Sequence, residues 1–132
     1  MSAEKFKDLT INHCALIYRP LLDSPIGRHY GFLAVIQGRW QVIHLSKFKK
    51  PEMISLEVFA ARQECDIEEM RILEKAITAE RIRKALKEYS TYNLLTNNCE
   101  DFARFIYNGK WRSEQTISMI VLGFFALLVA TA

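Results

Sequence analysis

The sequence predicts an α+β fold, a small antiparallel sheet packed with helices, plus a C-terminal apolar helix. Three observations carry this. Aromatic and β-branched residues crowd 29–36 and 39–45 on either side of Gln37-Gly38, the signature of a β-hairpin. After Thr78, and again after Asn98, apolar residues recur at helical spacing. The last sixteen residues, 117–132, carry no charge at all.

Composition bounds the rest. The chain has 132 residues, 50% of them hydrophobic and 25% charged, enough for one packed core. That excludes a two-domain enzyme with a separate cofactor domain. It also excludes a disordered chain, which would be poorer in apolar residues. Eighteen basic against fifteen acidic residues leave +3, too mild an excess to argue for nucleic acid, and no nucleic-acid partner is expected.

Taken in order, residues 11–18 are a short apolar run and read as a strand. Residues 19–28 hold Pro20, Pro25 and Gly27 and read as a loop. The hairpin follows. Lys47, Lys49, Lys50 and Pro51 make a basic, exposed connection. Residues 53–61 are expected as a third strand, and 65–74 fit strand or helix equally. Thr78 suits an N-cap, with Glu80 in the first turn and Ile82, Leu86 and Tyr89 as the apolar stripe. Residues 92–95 read as extended. A further helix starts at Asn98 or Cys99, is striped by Phe102, Phe105 and Ile106, and stops at Asn108-Gly109.

Cys14, Cys65 and Cys99 are too few and too scattered for a disulfide framework. No C-x-x-C pair exists, and His13 beside Cys14 lacks the spacing of a zinc site. These features predict free thiols in a reducing, intracellular setting, with no metal and no cofactor. The first ten residues are polar and lack the apolar core of a signal peptide. There is no internal repeat.

Cys99 is the residue that points to chemistry. A thiol at a helix N-terminus meets the positive end of the helix dipole and backbone N–H groups without intrahelical partners. Both favour the thiolate, and the same N–H groups suit an oxyanion. Glu100 and Asp101 oppose this unless their side chains point away. The alternative for Cys99 is a small core residue.

A nucleophilic cysteine needs a base, and the base needs an orienting group. With a two-residue loop at Gln37-Gly38, Ile36 faces Arg39, Val35 faces Trp40, Leu33 faces Val42 and Gly31 faces His44. His29, Gly31, Leu33, Val35, Trp40, Val42 and His44 then share one face. His29 and His44 become diagonal neighbours, close enough for their rings to meet. A three-residue loop would put them on opposite faces. Gly31 leaves room between them for a ring or a substrate. His13 has no such partner and reads as structural or exposed.

These residues resemble a known family. Tyr18-Arg19-Pro20, Arg28-His29-Tyr30-Gly31 and Val42-Ile43-His44-Leu45 resemble the histidine box of the lecithin:retinol acyltransferase-like proteins. Residues 92–103 (YNLLTNNCEDFA) resemble their cysteine box. Tyr107-Asn108-Gly109-Lys110 and Arg112-Ser113-Glu114-Gln115 resemble the segment that closes that domain. The resemblance spans about 11–115 and is vague between 47 and 87. It implies a circularly permuted relative of the NlpC/P60, papain-like thiol enzymes. It also implies acyl transfer from a glycerophospholipid through a cysteine thioester to water, an amine, a lysolipid or an alcohol. Carried over, Cys99 is the nucleophile, His29 the general base and His44 the orienting member. The histidines are fifteen residues apart, a longer hairpin than is usual in the family, and Asp101 stands where the family commonly has histidine.

The uncharged run, opened by Ile117 and closed by Ala132, reads ISMIVLGFFALLVATA. As a helix it would span about 24 Å, short of a hydrocarbon core of roughly 30 Å, a mismatch that bilayers accommodate. Lys110, Trp111 and Arg112 flank it. Under the positive-inside rule the domain would stay cytoplasmic, with this run as membrane anchor. The alternative is a buried helix completing the core.

The expectation is therefore a catalytic domain over 1–115 and a hydrophobic segment over 116–132. Together they would form a membrane-associated thiol acyltransferase or phospholipase with a phospholipid substrate. The alternatives are an NlpC/P60-like cysteine peptidase or amidase, and a non-catalytic membrane-binding protein that keeps the fold. The oligomeric state is not legible in the sequence.

Overall fold

The computed structural model describes residues 6–22, 26–46, 50–88 and 99–110. Five strands form one antiparallel sheet: β1 (His13–Pro20), β2 (Arg28–Ile36), β3 (Arg39–Leu45), β4 (Pro51–Ser55) and β5 (Asp66–Ile72). Their order across the sheet is β4-β3-β2-β1-β5. Three helices accompany it: α1 (Leu56–Ala60), α2 (Lys75–Glu88) and α3 (Cys99–Asn108). The α+β class with an antiparallel sheet is as the sequence predicts.

The central hairpin follows from its turn. Gln37 and Gly38 both have positive φ, 56° and 76°, the twist that joins antiparallel strands through two residues. Ile36 then pairs with Arg39, Val35 with Trp40 and Leu33 with Val42, the register derived from the sequence. The ladder runs to Phe32–Ile43, one pair short of Gly31 and His44.

Alternation along the strands gives the sheet two apolar faces. One carries Leu16, Tyr30, Phe32, Ala34, Ile43 and Leu45, covered by α3 through Phe102, Phe105 and Ile106 and by Ala85 of α2. The other carries Ala15, Ile17, Leu33, Val42 and Ile67, packed on Phe59 of α1 with Trp40 and Ile54 at its margin.

Two local expectations are corrected and one ambiguity is resolved. Residues 53–61 are not one strand. β4 ends at Ser55, whose hydroxyl accepts the Val58 N–H at 3.2 Å and caps α1. A serine N-cap followed by an acidic residue, Glu57, turns the chain into a helix where apolar content alone suggests a strand. Residues 66–72, within the ambiguous stretch, are strand β5. Thr78 is not an N-cap: α2 begins at Lys75, and the Thr78 N–H already bonds the Glu74 carbonyl at 3.0 Å. Its inward stripe uses Ile82 and Ala85, while Leu86 is exposed. In α3, by contrast, Phe102, Phe105 and Ile106 are buried as the periodicity requires, and the Gly109 N–H closes on the Phe105 carbonyl.

β1 and β5 pair with one irregularity. Ile17 faces Ile67, but Leu16 faces Glu69, so Glu68 is an extra residue on β5. Such a bulge re-aims the side chains around it.

Among the described residues, no helix is long and apolar enough to cross a membrane. Tyr89, the 92–95 stretch and the 116–132 segment lie outside the described residues.

Candidate active site

β2 and β3 bring His29 and His44 together. Both are buried, and His29 Nε2 lies 2.7 Å from His44 Nδ1. The ring centres are 5.0 Å apart and the planes nearly perpendicular, at 88°. This is the diagonal contact that the hairpin register requires.

The chain of bonds runs one residue farther. β3 pairs with β4 so that His44 faces Glu52. His44 Nε2 is 2.8 Å from Glu52 Oε1. An ionised carboxylate only accepts, so His44 Nε2 carries the proton. In neutral His44 this leaves Nδ1 as an acceptor, and His29 Nε2–H donates to it. His29 is thereby held in the Nε2–H tautomer, with its Nδ1 lone pair available as a base.

The surroundings keep both rings neutral. Burial lowers the His29 pKa to about 4, helped by the charge of Arg19 and by His44. His44 is lowered mainly by burial, against the opposing pull of its bond to Glu52. Arg19 faces His29 across β1 and β2. Its Nε donates to the Phe59 carbonyl, and its guanidinium lies 5.4 Å from the centre of the Phe59 ring.

Phe59 walls the pair. Its ring stacks on His29 at 5.4 Å and meets His44 edge-on at 5.5 Å. Gly31 makes room for it. A Cβ there would come within 2.4 Å of Val42 Cγ1 and 2.9 Å of Phe59 Cε2. The space that the sequence assigns beside Gly31 is thus filled by a ring of the protein itself.

Cys99 is the first residue of α3. Its thiol points to the Arg28 carbonyl, with Sγ 3.8 Å from the oxygen. Arg28 directly precedes His29, so the sulfur sits at the start of the strand that carries the imidazole. It packs with the Tyr30–Phe32 side of the sheet, whereas His29 and His44 lie on the Phe59 side. Among the described residues no hydrogen bond joins the thiol to His29. The other two cysteines are buried, and burial drives both thiols up to about 11. Cys99 is the one partly exposed cysteine in the chain.

Glu100 does point away: its carboxylate takes a bond from Arg104 Nε at 2.8 Å. Asp101 is buried. His13 lies apart, bonded through Nδ1 to the backbone N–H and the hydroxyl of Thr10, each at 2.9 Å. Among the described residues no group of three or more His, Cys, Asp and Glu side chains is arranged to hold a metal ion.

Sequence reasoning misses Glu52, Phe59 and Arg19. Glu52 becomes legible only with the β3–β4 register, and residues 46–50 carry no turn signature that sets it. Phe59 is hidden by the expectation of a strand over 53–61.

Comparison with protein families decides the relationship. The family model described as lecithin retinol acyltransferase matches residues 25–112, more than half of the chain. The chain belongs to the lecithin retinol acyltransferase family. The matched stretch contains His29, His44, Glu52 and Cys99. It also runs through β4, α1 and β5, where the sequence resemblance is vague. Membership points to acyltransferase-type activity on lipids. Neither the curated proteins nor the solved structures compared gave a match.

Proposed function

We propose that this protein is a cysteine-dependent acyltransferase or phospholipid acyl hydrolase that works through a thioester on Cys99. The observation that carries the reading is the bonded chain His29–His44–Glu52, which begins on the strand whose first carbonyl receives the Cys99 thiol. A buried imidazole held in one tautomer, on the strand whose end meets the partly exposed Cys99, supplies the base that a thiol nucleophile needs.

As Cys99 Sγ attacks an acyl carbonyl of a glycerophospholipid, the thiol proton passes to His29 Nδ1. The S–C bond forms and the carbonyl oxygen becomes an oxyanion. The positive end of α3 stabilises that charge. Collapse breaks the ester C–O bond, and imidazolium His29 protonates the departing lysolipid oxygen. The acyl group now sits on sulfur. Water or an acceptor hydroxyl or amine then attacks the thioester, giving its proton to His29 and returning the sulfur to the thiol. His44 and Glu52 touch no reacting atom; they orient His29 and stabilise its charged form. Resting thiol–imidazole contacts are often long and tighten only with substrate bound; here the thiol must leave the Arg28 carbonyl and pass the end of β2 to reach His29.

On this reading the fold is a permuted NlpC/P60 arrangement, with histidine before cysteine in the chain. Residues 117–132 hold the domain, on the cytoplasmic side, at the bilayer that contains its substrate.

The test is lipid turnover on mixed phospholipid vesicles. Wild type releases lysolipid together with free or transferred acyl chain. Cys99→Ala and His29→Gln lose turnover, with Glu52→Gln only reduced. Undiminished turnover in Cys99→Ala would remove the reading.

A further inference from the structure

We infer that Arg104 is a positioning residue for Cys99, neutralising the adjacent Glu100 and tying the first turn of α3 to β5 and β2. This rests on the reading of Cys99 as the nucleophile. The sequence poses the problem it answers. Two carboxylates, Glu100 and Asp101, directly follow the cysteine. Negative charge next to a thiol opposes thiolate formation, while the helix N-terminus favours it.

Arg104 lies one turn along α3 from Glu100. Its Nε donates to Glu100 Oε2 at 2.8 Å, and its other arm pairs with Glu68 Oε2 at 2.6 Å. The second oxygen of Glu68 accepts the Tyr30 hydroxyl at 2.8 Å. The Arg104 guanidinium also lies 5.5 Å from the centre of the Tyr30 ring. One planar fork therefore joins α3, β5 and β2, a task suited to arginine and not to lysine. Glu68 is the extra residue of the β5 bulge, so the sheet itself is irregular at the point where it presents this carboxylate. The Arg104 and Glu68 side chains are only 28% and 25% exposed, so solvent screens this pair less than a surface pair.

The charged and titratable groups on the elements that meet at the start of α3 divide by element. On α3 they are Glu100, Asp101 and Arg104. On β2 they are Arg28, His29 and Tyr30, with the Arg28 guanidinium 4.2 Å from the centre of the Tyr18 ring of β1. On β5 the group is Glu68. Without Arg104, Glu100 and Glu68 would lose the cation they share, leaving Arg28 as the cation on the Tyr30 side, and the helix start would lose its clamp.

The test is the rate at which iodoacetamide alkylates Cys99 in the full chain, followed by peptide mass from pH 5 to 9. In Arg104→Gln the rate at pH 7 falls about three- to tenfold and the pH–rate curve moves to higher pH by roughly half to one unit. Arg104→Lys keeps the charge but not the fork, and recovers only part of the rate. Glu100→Gln added to Arg104→Gln restores it, and Glu100→Gln alone raises it. An Arg104→Gln curve that overlies wild type overturns the inference. So does a slowed Arg104→Gln that Glu100→Gln fails to restore, since Arg104 would then be only a structural tie. Should Arg104→Gln not fold, Glu100→Gln alone decides: a rate no faster than wild type contradicts the inference. Lipid turnover, measured in parallel, separates the two claims. If Cys99→Ala keeps turnover, the functional reading fails while the alkylation result still judges Arg104. If Cys99→Ala loses turnover but alkylation ignores Arg104, the inference fails alone.

Discussion

His29 Nε2 and His44 Nδ1 lie 2.7 Å apart, and that contact fixes which nitrogen of His29 is free to act as a base. Glu52 sets the direction, because a carboxylate on His44 Nε2 obliges His44 to accept from His29. The three side chains come from three successive strands of one sheet, a rigid platform for a proton-transfer group.

Removing the links of this chain should therefore cost activity in a graded way. His29→Gln should lower kcat by about 10²–10⁴-fold, the usual worth of a general base. His44→Ala frees the ring of His29 and should cost less. Glu52→Gln still offers an oxygen acceptor on a half-exposed side chain, so its loss should be smallest, roughly three- to tenfold. KM should change little in all three, since none is placed to bind substrate uniformly. Steady-state kinetics on phospholipid vesicles checks the order.

Stability should fall on acidification above the range where carboxylates titrate. Folded His29 holds a proton less tightly than the unfolded chain, with a pKa of about 4 against 6.5. Its contribution is complete above the unfolded value and drains as pH drops from 6.5 toward 4. Between pH 7 and pH 5 this amounts to about 2 kcal/mol. His44 shifts in the same direction and adds to the loss. Urea unfolding at the two pH values should show the drop, and His29→Gln should flatten it.

Gly31→Ala tests the wall of the site. Its backbone conformation permits alanine, so the cost comes from contact alone: 2.4 Å to Val42 Cγ1 and 2.9 Å to Phe59 Cε2. Overpacking of this kind costs about 1–3 kcal/mol. The Phe59 ring must move off the imidazoles, so kcat should fall together with Tm. Shortening the neighbour with Phe59→Leu in the same chain should return part of the lost Tm, as differential scanning fluorimetry would show.

The cysteines should separate by reactivity. Cys14 and Cys65 are buried, and desolvation raises both to about 11. At pH 7 a limiting amount of iodoacetamide should therefore label Cys99 and leave the other two until urea exposes them. Peptide mass mapping before and after unfolding reads this directly.

The sequence carried some of these features openly and hid others for physical reasons. The His29–His44 contact was legible because a two-residue turn fixes register, and register fixes faces. Cys99 at a helix start was legible from the apolar stripe of Phe102, Phe105 and Ile106. Glu52 was hidden because its partnership with His44 is set by how β4 returns along β3, a long-range pairing with no local signal. Phe59 was hidden because one serine cap, Ser55, outweighed the strand-like composition around it. Thr78 misled in the opposite way: a good capping residue sits inside α2, its N–H already bonded to the Glu74 carbonyl. The Arg104–Glu68 tie depends on a bulge, and nothing in a pattern of alternating residues announces where the extra one falls.

The central claim is a covalent acyl group on Cys99, and intact mass spectrometry after brief exposure to phospholipid vesicles tests it most directly. Wild type should gain the mass of one fatty acyl chain, lose it to hydroxylamine, and carry it on the peptide that contains Cys99. Cys99→Ala should show no such gain. An acyl adduct that persists in Cys99→Ala, or that maps to another residue in the wild type, would contradict the account.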